Sequence, residues 1–445
     1  MSELDFRQKI DLRRAFWALG ASTRLDVKLS ALVPLGTSRP RRPDVEEWTD
    51  LDVLAVQYAP LTGLLSAVAD CKTTKSRATE RVFWLRGVAD LFGAQAAYLV
   101  RDGEMAPSTR QLAHRLGITA LDGADRANFA GQAGEQHLPR KGGFLEPEAY
   151  LRWVNLLAGT PRTFQRVDRY RRTLYWTFPK FRNIVQLPAY LSSIAPQLDP
   201  SQAWAHALVI DFAWLYMLTV VHAVHEVGTL HLSDLGGSLR QVVVGGEHAV
   251  REKEDLRRKI QEVLRIAAGA QEAHQFDVVP PYFGDLTDLV ARALRRRGLA
   301  TEVLRVLEFI GVETVAAKGA AWYEAFPDHD PVAAKLASDV VLFLCRACRL
   351  DQSYASTFDA AIGGRPAAEQ GEEPPGQTAL APGVGTVPPP GTGGPPPPAD
   401  DKARTALPAS PERGGERAYS AGPRSSSLIP CEAEGEDERD RGDAE

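Results

Sequence analysis

Patterns typical of helices and of strands alternate along the first 130 residues of the chain. In FRQKIDLRRAFWALG the apolar residues recur at near-helical spacing, and in LDVKLSALV they alternate as in a strand. Ser76 and Ser108 are candidate N-caps of two later helices. Further strands are predicted at residues 49–58, 66–72, 96–100 and 118–122. Such alternation favours an α/β domain over residues 1–130.

The next region has a different pattern. Residues 131–144, GQAGEQHLPRKGGF, are typical of a linker, and the segments after them are mostly apolar at helical spacing. We therefore predict a mainly α-helical domain of unknown role over residues 145–362, with one strand at VVVGGEH from residue 242. Its most apolar segment, residues 205–226, contains Asp211, which favours a buried core helix because a charge is costly inside a bilayer.

The composition changes again from residue 363 onward. This part contains PPPGTGGPPPP and ends in EAEGEDERDRGDAE. It has too few apolar side chains to offset the entropy that ordering would cost. Residues 363–445 are therefore predicted to form a disordered, Pro/Gly-rich acidic tail.

Charge, cysteine content and the N-terminal sequence bear on the expected partner and cellular compartment. The net charge of -5 averages a basic body and an acidic tail, so it does not exclude nucleic-acid binding. A content of 4 Cys in 445 residues fits a reducing compartment. The charged N-terminus, MSELDFRQKIDLRR, lacks the apolar segment of a signal peptide. We expect a cytoplasmic protein that does not enter a membrane.

Acidic residues stand at the ends of two neighbouring predicted strands. Asp50 and Asp52 precede the apolar run VLAV, and Asp70 and Lys72 end the next strand. Strands joined by a short connection usually pair, so Asp52 and Asp70 are expected at the same end of the sheet. Lys72 is expected on the face of Asp70 because strand side chains have a period of two. Two close carboxylates repel each other and therefore need a cation.

This group of side chains predicts a site for Mg²⁺, or for Mn²⁺. Mg²⁺ prefers oxygen ligands and usually takes one or two carboxylates. The predicted metal ligands are Asp52, Asp70 and the backbone carbonyl of Cys71, with Asp50 as a further candidate. A bound metal ion activates water, and Lys72 can offset charge in the transition state. The pattern indicates phosphodiester hydrolysis with Asp52, Asp70 and Lys72 as catalytic residues, and an ion pair at the strand ends is the alternative.

The ordered set of motifs resembles the PD-(D/E)xK nuclease superfamily. The spacing D-x(17)-DxK across TDLDVLAV and VADCKTTK follows a helix and a strand, and ERVFWLRGVADLFGAQAAYLV looks like the next helix and strand. The segment APSTRQLAHRLGITALDG is similar to the closing unit of Mrr-like endonucleases. The resemblance covers residues 1–130 and implies a restriction-endonuclease-like fold, metal binding by Asp52 and Asp70, and catalysis by Lys72. It also implies DNA as substrate, in restriction, defence or repair.

One departure from the family pattern leaves alternatives open. Many members carry a Glu on the first helix, where this chain offers Asp11 among basic residues, with Glu3 and Asp5 ahead of it. The first alternative is a catalytically inactive nuclease-fold module that binds nucleic acid or assembles a regulatory complex. The second is a helical interaction protein, which would be favoured if Lys72 pointed away from both aspartates.

Basic residues directly after the acidic site predict contacts with nucleic acid. These are Lys75, Arg77 and Arg81, of which the last two are spaced i,i+4. They are expected to face a phosphate backbone, and a solvated helix face paired with Glu80 is the alternative. We expect DNA as the partner, with RNA as an alternative, and a homodimer or a protein partner bound through the helical domain.

Two further segments have ambiguous patterns. Residues 162–182 interleave aromatic and basic side chains, which suits either base stacking or a helix core with a basic outer face. A His-rich cluster is interpreted as a helix end in preference to a metal site. Its members are His222, His225, Glu226 and His231.

Overall fold

The computed structural model describes residues 3–33, 44–72, 78–230, 233–268 and 278–363. All of these fall within one compact unit, Met1–Pro375. The disordered tail predicted for residues 363–445 lies outside the described residues, apart from Gly363. The candidate N-cap Ser76 lies outside them as well.

A mixed five-stranded sheet forms the N-terminal part of the described fold. Its spatial order is the order of the chain, with the first three strands antiparallel and the last three parallel to one another. The strands are β1 Ser22–Val33, β2 Asp44–Ala59, β3 Gly63–Lys72, β4 Ala96–Arg101 and β5 Ile118–Leu121. The α/β class predicted for this region is confirmed.

Strand β2 is apolar along its middle because the sheet is covered on both faces. Val53 and Leu54 are 0% exposed, and Ala55 and Val56 are nearly as buried. A continuous apolar run is what a strand covered on both faces requires. The turn into β3 ends at Gly63, where φ is +81° and a Cβ would meet the ring of His225 at 2.8 Å, so a side chain does not fit there.

Four helices accompany the sheet; the first three follow the predicted order, and the fourth was not predicted. They are α1 Glu3–Ala18, α2 Ala78–Phe92, α3 Pro107–Arg115 and α4 Gly123–Ala133. Helix α1 buries Phe16 against Tyr98 of β4, with ring centroids 5.0 Å apart. Ser108 was predicted to cap α3, but the N-cap is Ala106 and Pro107 begins the helix. Proline suits a first helical position because its φ is already helical, so the helix begins before the serine.

The remaining described residues are mainly helical, as predicted. The helices are α5 Pro147–Val154, α6 Arg162–Arg169, α7 Tyr175–Thr177, α8 Lys180–Ser192, α9 Ala203–Thr229, α10 Leu235–Val244, α11 Glu247–Ala268, α12 Phe283–Arg295, α13 Ala300–Val315, α14 Trp322–Ala325, α15 Pro331–Cys348 and α16 Ser353–Ile362. A π-helical turn, Tyr170–Leu174, joins α6 to α7. The strand predicted from residue 242 is wrong, because these valines end α10, which Gly245 terminates in the left-handed conformation.

Helix α9 is the long apolar segment of the sequence. Within the described residues it is the one helix long and apolar enough to cross a membrane, and 94% of its apolar window is buried inside the fold. Asp211 within it is 0% exposed and accepts hydrogen bonds from Arg24 of β1 at 2.9 Å and from Arg171 at 2.8 Å. A buried charge needs such pairing, so this carboxylate joins the sheet to the helices.

A second buried carboxylate joins α1 and β1 to α13. Glu308 accepts hydrogen bonds from Trp17 Nε1 at 2.8 Å, from the Thr23 backbone N–H at 2.7 Å, and from the Arg13 guanidinium at 3.1 Å. The predicted linker also contacts α13, since the backbone N–H of Phe144 donates a hydrogen bond to the Glu313 carboxylate at 2.5 Å. The sheet and the helices therefore share one core.

Candidate active site

The register of the sheet brings the predicted site residues together. The β2–β3 ladder ends with Val53 opposite Ala69, so Asp52 and Asp70 follow this last pair on the two neighbouring strands. Lys72 ends β3. The three side chains predicted to be catalytic therefore converge where β2 and β3 diverge.

Lys72 points toward both aspartates. Its Nζ atom lies 3.5 Å from Asp52 Oδ2 and 3.7 Å from Asp70 Oδ1. Asp52 is 2% exposed and Asp70 3%. The backbone N–H of Cys71 also donates to Asp52 Oδ2, at 2.7 Å. The two carboxylates form one buried charge cluster with the lysine between them.

Lys9 of α1 is a member of this cluster that the sequence analysis missed. Its Nζ atom lies 2.7 Å from Asp52 Oδ1 and 2.5 Å from Asp26 Oδ1. Burial by itself would lower the pKa of Lys9, but the charges of Asp52 and Asp26 outweigh it and raise that pKa. The lysine is therefore charged at every physiological pH. It lies on α1, far from Asp52 in the sequence, so no local pattern indicates that the two side chains meet.

Asp26 is the second residue that the sequence analysis missed. It lies on β1 between Leu25, which pairs with Val53, and Val27, which pairs with Leu51, so it stands opposite Asp52. Its φ of +53° falls in the left-handed region, which is unusual for a residue within a strand. Backbone outliers of this kind cluster at functional sites, and this one carries the carboxylate that pairs with Lys9.

Arg81 of α2 binds the other aspartate in a bidentate pair. Its Nε and Nη2 atoms donate to the two oxygens of Asp70 at 2.8 and 2.7 Å. The hydrogen bonds to Asp70 are the main reason that the pKa of Arg81 is raised. Its guanidinium also lies 3.7 Å from the centre of the Trp84 ring. Of the basic residues predicted to contact nucleic acid, Lys75 and Arg77 lie outside the described residues.

The donor set suits a hard divalent cation. Carboxylate oxygens of Asp26, Asp50 and Asp52 all lie within 4.8 Å of one another, with Asp50 exposed and Asp52 buried. Oxygen ligands of this kind are those that Mg²⁺ and Mn²⁺ prefer. Burial raises the pKa of the Cys71 thiol well above its ordinary value, so the thiol is neutral and only its carbonyl is a candidate ligand. Of the predicted ligands, Asp70 is the one whose oxygens Arg81 already holds.

The other ambiguous segments go mostly into the core. Tyr170 and Tyr175, from the aromatic and basic segment, are buried. The Arg171 guanidinium donates hydrogen bonds to Asp211, Asp168 and backbone carbonyls. In the histidine cluster, His231 lies outside the described residues. His222 lines a cavity, and burial lowers its pKa to about 3.

We compared the chain with known protein families, curated proteins and solved structures. The chain matches no protein-family model, no curated protein and no solved structure among those with which it was compared. The geometry of the site therefore carries the functional argument.

Proposed function

We propose that this protein is a metal-dependent nuclease that hydrolyses DNA phosphodiester bonds at Asp52, Asp70 and Lys72. The observation that carries the proposal is the Lys72 ammonium, within 3.7 Å of both carboxylates on neighbouring strands. The same observation disfavours a purely helical interaction protein, which required Lys72 to point away. The element order α1-β1-β2-β3-α2-β4 supports a restriction-endonuclease-like fold, because it is the order that the family resemblance implies.

In the proposed chemistry the carboxylates bind the metal ion and Lys72 stabilises charge. Asp52 would hold Mg²⁺ or Mn²⁺ together with Asp26 and Asp50, whose carboxylates lie close to it. Asp70 and the Cys71 carbonyl are further candidate ligands on the sequence pattern. A bound metal ion would polarise a phosphoryl oxygen and make its bound water more acidic. Hydrolysis forms one bond from phosphorus to the water oxygen and breaks one bond to a sugar oxygen, which leaves with a proton. Lys72 would position the water and offset the charge that develops on the phosphate.

The setting follows from the same proposal. A DNA nuclease of this kind would act in the cytoplasm in restriction, defence or repair, with RNA as the alternative substrate. The helical region would hold a second copy of the chain or a protein partner. These assignments rest on the family resemblance and on the sequence composition.

The test is cleavage of plasmid and of linear single- and double-stranded DNA with Mg²⁺, Mn²⁺ or EDTA. We expect metal-dependent cutting by the unmodified protein and a loss of at least about 100-fold in Asp70→Asn and Lys72→Met, because each removes charge from the site. Asp90→Asn is the matched control, since Asp90 is exposed near the end of α2 and pairs with Arg86 on the same helix. Cutting that survives both site substitutions would refute the assignment.

A second candidate function is a nuclease-fold module that binds nucleic acid without cutting it. The pairing of Lys9 with Asp52 and of Arg81 with Asp70 favours this candidate, since each cation competes with a metal ion for the same oxygens. DNA retention in a gel shift, with no cutting under any metal condition, would establish it. RNA in place of DNA in the same assays decides between the two substrates.

A further inference from the structure

A large cavity lies between the sheet and helices α7 to α9. Neither Asp52 nor Asp70 lines it. Its volume is about 700 Å³, and its walls are mostly apolar, with Leu54 and Leu64 on the sheet side and Trp176 and Leu218 on the helix side. Cavities of this size with apolar walls and few polar groups are typical of sites for small molecules.

The mouth of the cavity exposes apolar side chains to solvent. Trp48 is 53% exposed and Leu91 is 56% exposed, and both line the cavity. Trp48 is the extra residue of a β-bulge, because Leu29 pairs with Thr49 whereas Ser30 pairs with Glu47. A bulge turns a side chain out of the regular pleat. The strand thus presents an indole at the opening.

Most neutral polar groups of the cavity wall are already paired within the protein. Asn183 accepts a hydrogen bond from the Tyr170 hydroxyl and donates one to the Tyr175 carbonyl. The Thr219 hydroxyl donates to the Leu215 carbonyl, and the Ser66 hydroxyl donates to the Gln95 side chain. These groups are therefore not free to select a ligand.

Two basic side chains lie where this cavity adjoins a second one, and the charge of Glu226, which lines that second cavity, acts on Lys180. Within the described residues, Lys180 Nζ has no carboxylate at ion-pair distance and His222 has no hydrogen-bond partner, and both line the cavity. Lys180 is also the first residue of helix α8, whose N-cap, Pro179, offers no side-chain cap. The N-terminus of a helix favours a negative charge.

A second cavity of about 610 Å³ shares Lys180 and His222 but is lined by Glu226 and Glu247. Those carboxylates disfavour an anion inside it. An anionic group is therefore favoured at the junction, with its apolar part in the first cavity.

We propose that this cavity binds a small organic anion, whose apolar body lies between Trp48 and Trp176 and whose carboxylate or phosphate lies between Lys180 and His222. The neutral imidazole of His222 donates one hydrogen bond, and the Lys180 ammonium and the α8 N-terminus supply positive charge. The site is separate from the proposed nuclease function and does not depend on it.

The test is titration calorimetry of the full chain with decanoate, decyl phosphate and decanol, each below its micelle concentration. We expect saturable binding of at least one anion, and the tighter of the two identifies the head group. Decanol should bind at least about tenfold more weakly, because it carries no charge for Lys180 to attract.

Lys180→Met should weaken binding of the anion about tenfold and leave binding of decanol within about twofold. Lys335→Met is the matched control, since Lys335 is exposed on α15 and pairs with Asp339. Leu64→Trp, which fills the cavity, should weaken binding of all three compounds, and a thermal melt of each variant confirms folding.

Any of three results from the binding titrations would overturn the proposal: no saturable binding of either anion, equal affinity for decanol and the anions, or unchanged affinity for the anion in folded Lys180→Met. Displacement of the anion by a short DNA strand would also overturn it, because the cavity would then belong to a nucleic-acid site. DNA cleavage that fails while the anion binds would affect the nuclease proposal alone.

Discussion

At the scale of single residues, the candidate site is decided by which cation each aspartate holds. Asp52 is held by Lys9 and Lys72, and Asp70 by Arg81 and Lys72. Paired carboxylates this deep in the fold are stable only because those cations are present. A metal ion must compete with Lys9 in particular, since Lys9 approaches both Asp52 and Asp26.

Substitution of Lys9 tests this competition. We expect Lys9→Met to bind Mn²⁺ at least about tenfold more tightly than the unmodified protein, because two carboxylates then lack their nearest cation. In the absence of metal the variant should melt at a lower temperature. Titration calorimetry with Mn²⁺ measures the affinity, and added Mn²⁺ should restore the melting temperature.

Lys141→Met is the control for Lys9→Met, because Lys141 is exposed and pairs with Glu324 at the surface. Equal Mn²⁺ affinity in Lys9→Met and in the unmodified protein would show that Lys9 does not compete with a metal ion for these carboxylates.

At the scale of elements, α9 shows how a buried helix constrains the charges that it carries. Asp211 is charged and is paired with two arginines, whereas His222 is kept neutral, because burial first and Lys180 second lower its pKa to about 3. The same helix thus accommodates one titratable group by pairing and another by neutralisation.

The neutral His222 predicts a loss of stability in acid. Between the pKa of about 6.5 in the unfolded chain and the folded value, only the unfolded chain binds the proton, so stability falls as the pH falls below about 6.5. From pH 7 to pH 5, His222→Gln should lose about 1–2 kcal/mol less unfolding free energy than the unmodified protein. Urea unfolding at the two pH values measures the difference.

His114→Gln serves as the control for this effect, since His114 is exposed on α3. The same acid loss in His222→Gln as in the unmodified protein would mean that the imidazole is not held neutral by the fold.

At the scale of the whole molecule, the sheet and the helices form one unit. Glu308 of α13 receives hydrogen bonds from α1 and β1, and Asp211 of α9 receives them from β1 and from Arg171. Both carboxylates are buried, so neither can exchange its partners for water. The N-terminal sheet is therefore expected to unfold together with the helices.

Substitution of Glu308 tests that coupling. Glu308→Gln should lower the unfolding free energy by about 3–5 kcal/mol, because it leaves the buried Arg13 without a counter-charge. Urea unfolding followed by tryptophan fluorescence and by circular dichroism should show coincident transitions in the unmodified protein.

Glu324→Gln is the control for Glu308→Gln, because Glu324 is exposed and pairs with Lys141 at the surface, where an ion pair contributes little to stability. Separate transitions for the two probes would indicate that the sheet unfolds independently of the helices.

Much of the architecture is predictable because its causes are local. The runs VLAV and AAYLV predict buried strands, and the short connection between β2 and β3 predicts that these two strands pair, which their ladder confirms. The three side chains Asp52, Asp70 and Lys72 meet because strand periodicity and pairing are local rules as well. Errors occur where two local signals conflict, as with the proline that starts α3 ahead of Ser108, and the valines before Gly245 that end a helix.

The sequence by itself thus determined most of the helices and strands, the pairing of β2 with β3 and the meeting of two aspartates with a lysine, because each depends on residues near one another in the chain. Only the tertiary structure decided which distant groups neutralise those charges. Lys9 reaches Asp52 from another element, and Thr23 reaches Glu308 across 285 positions. Such pairs form because burial makes an unpaired charge costly, and burial is a property of the folded chain that no short stretch of sequence contains.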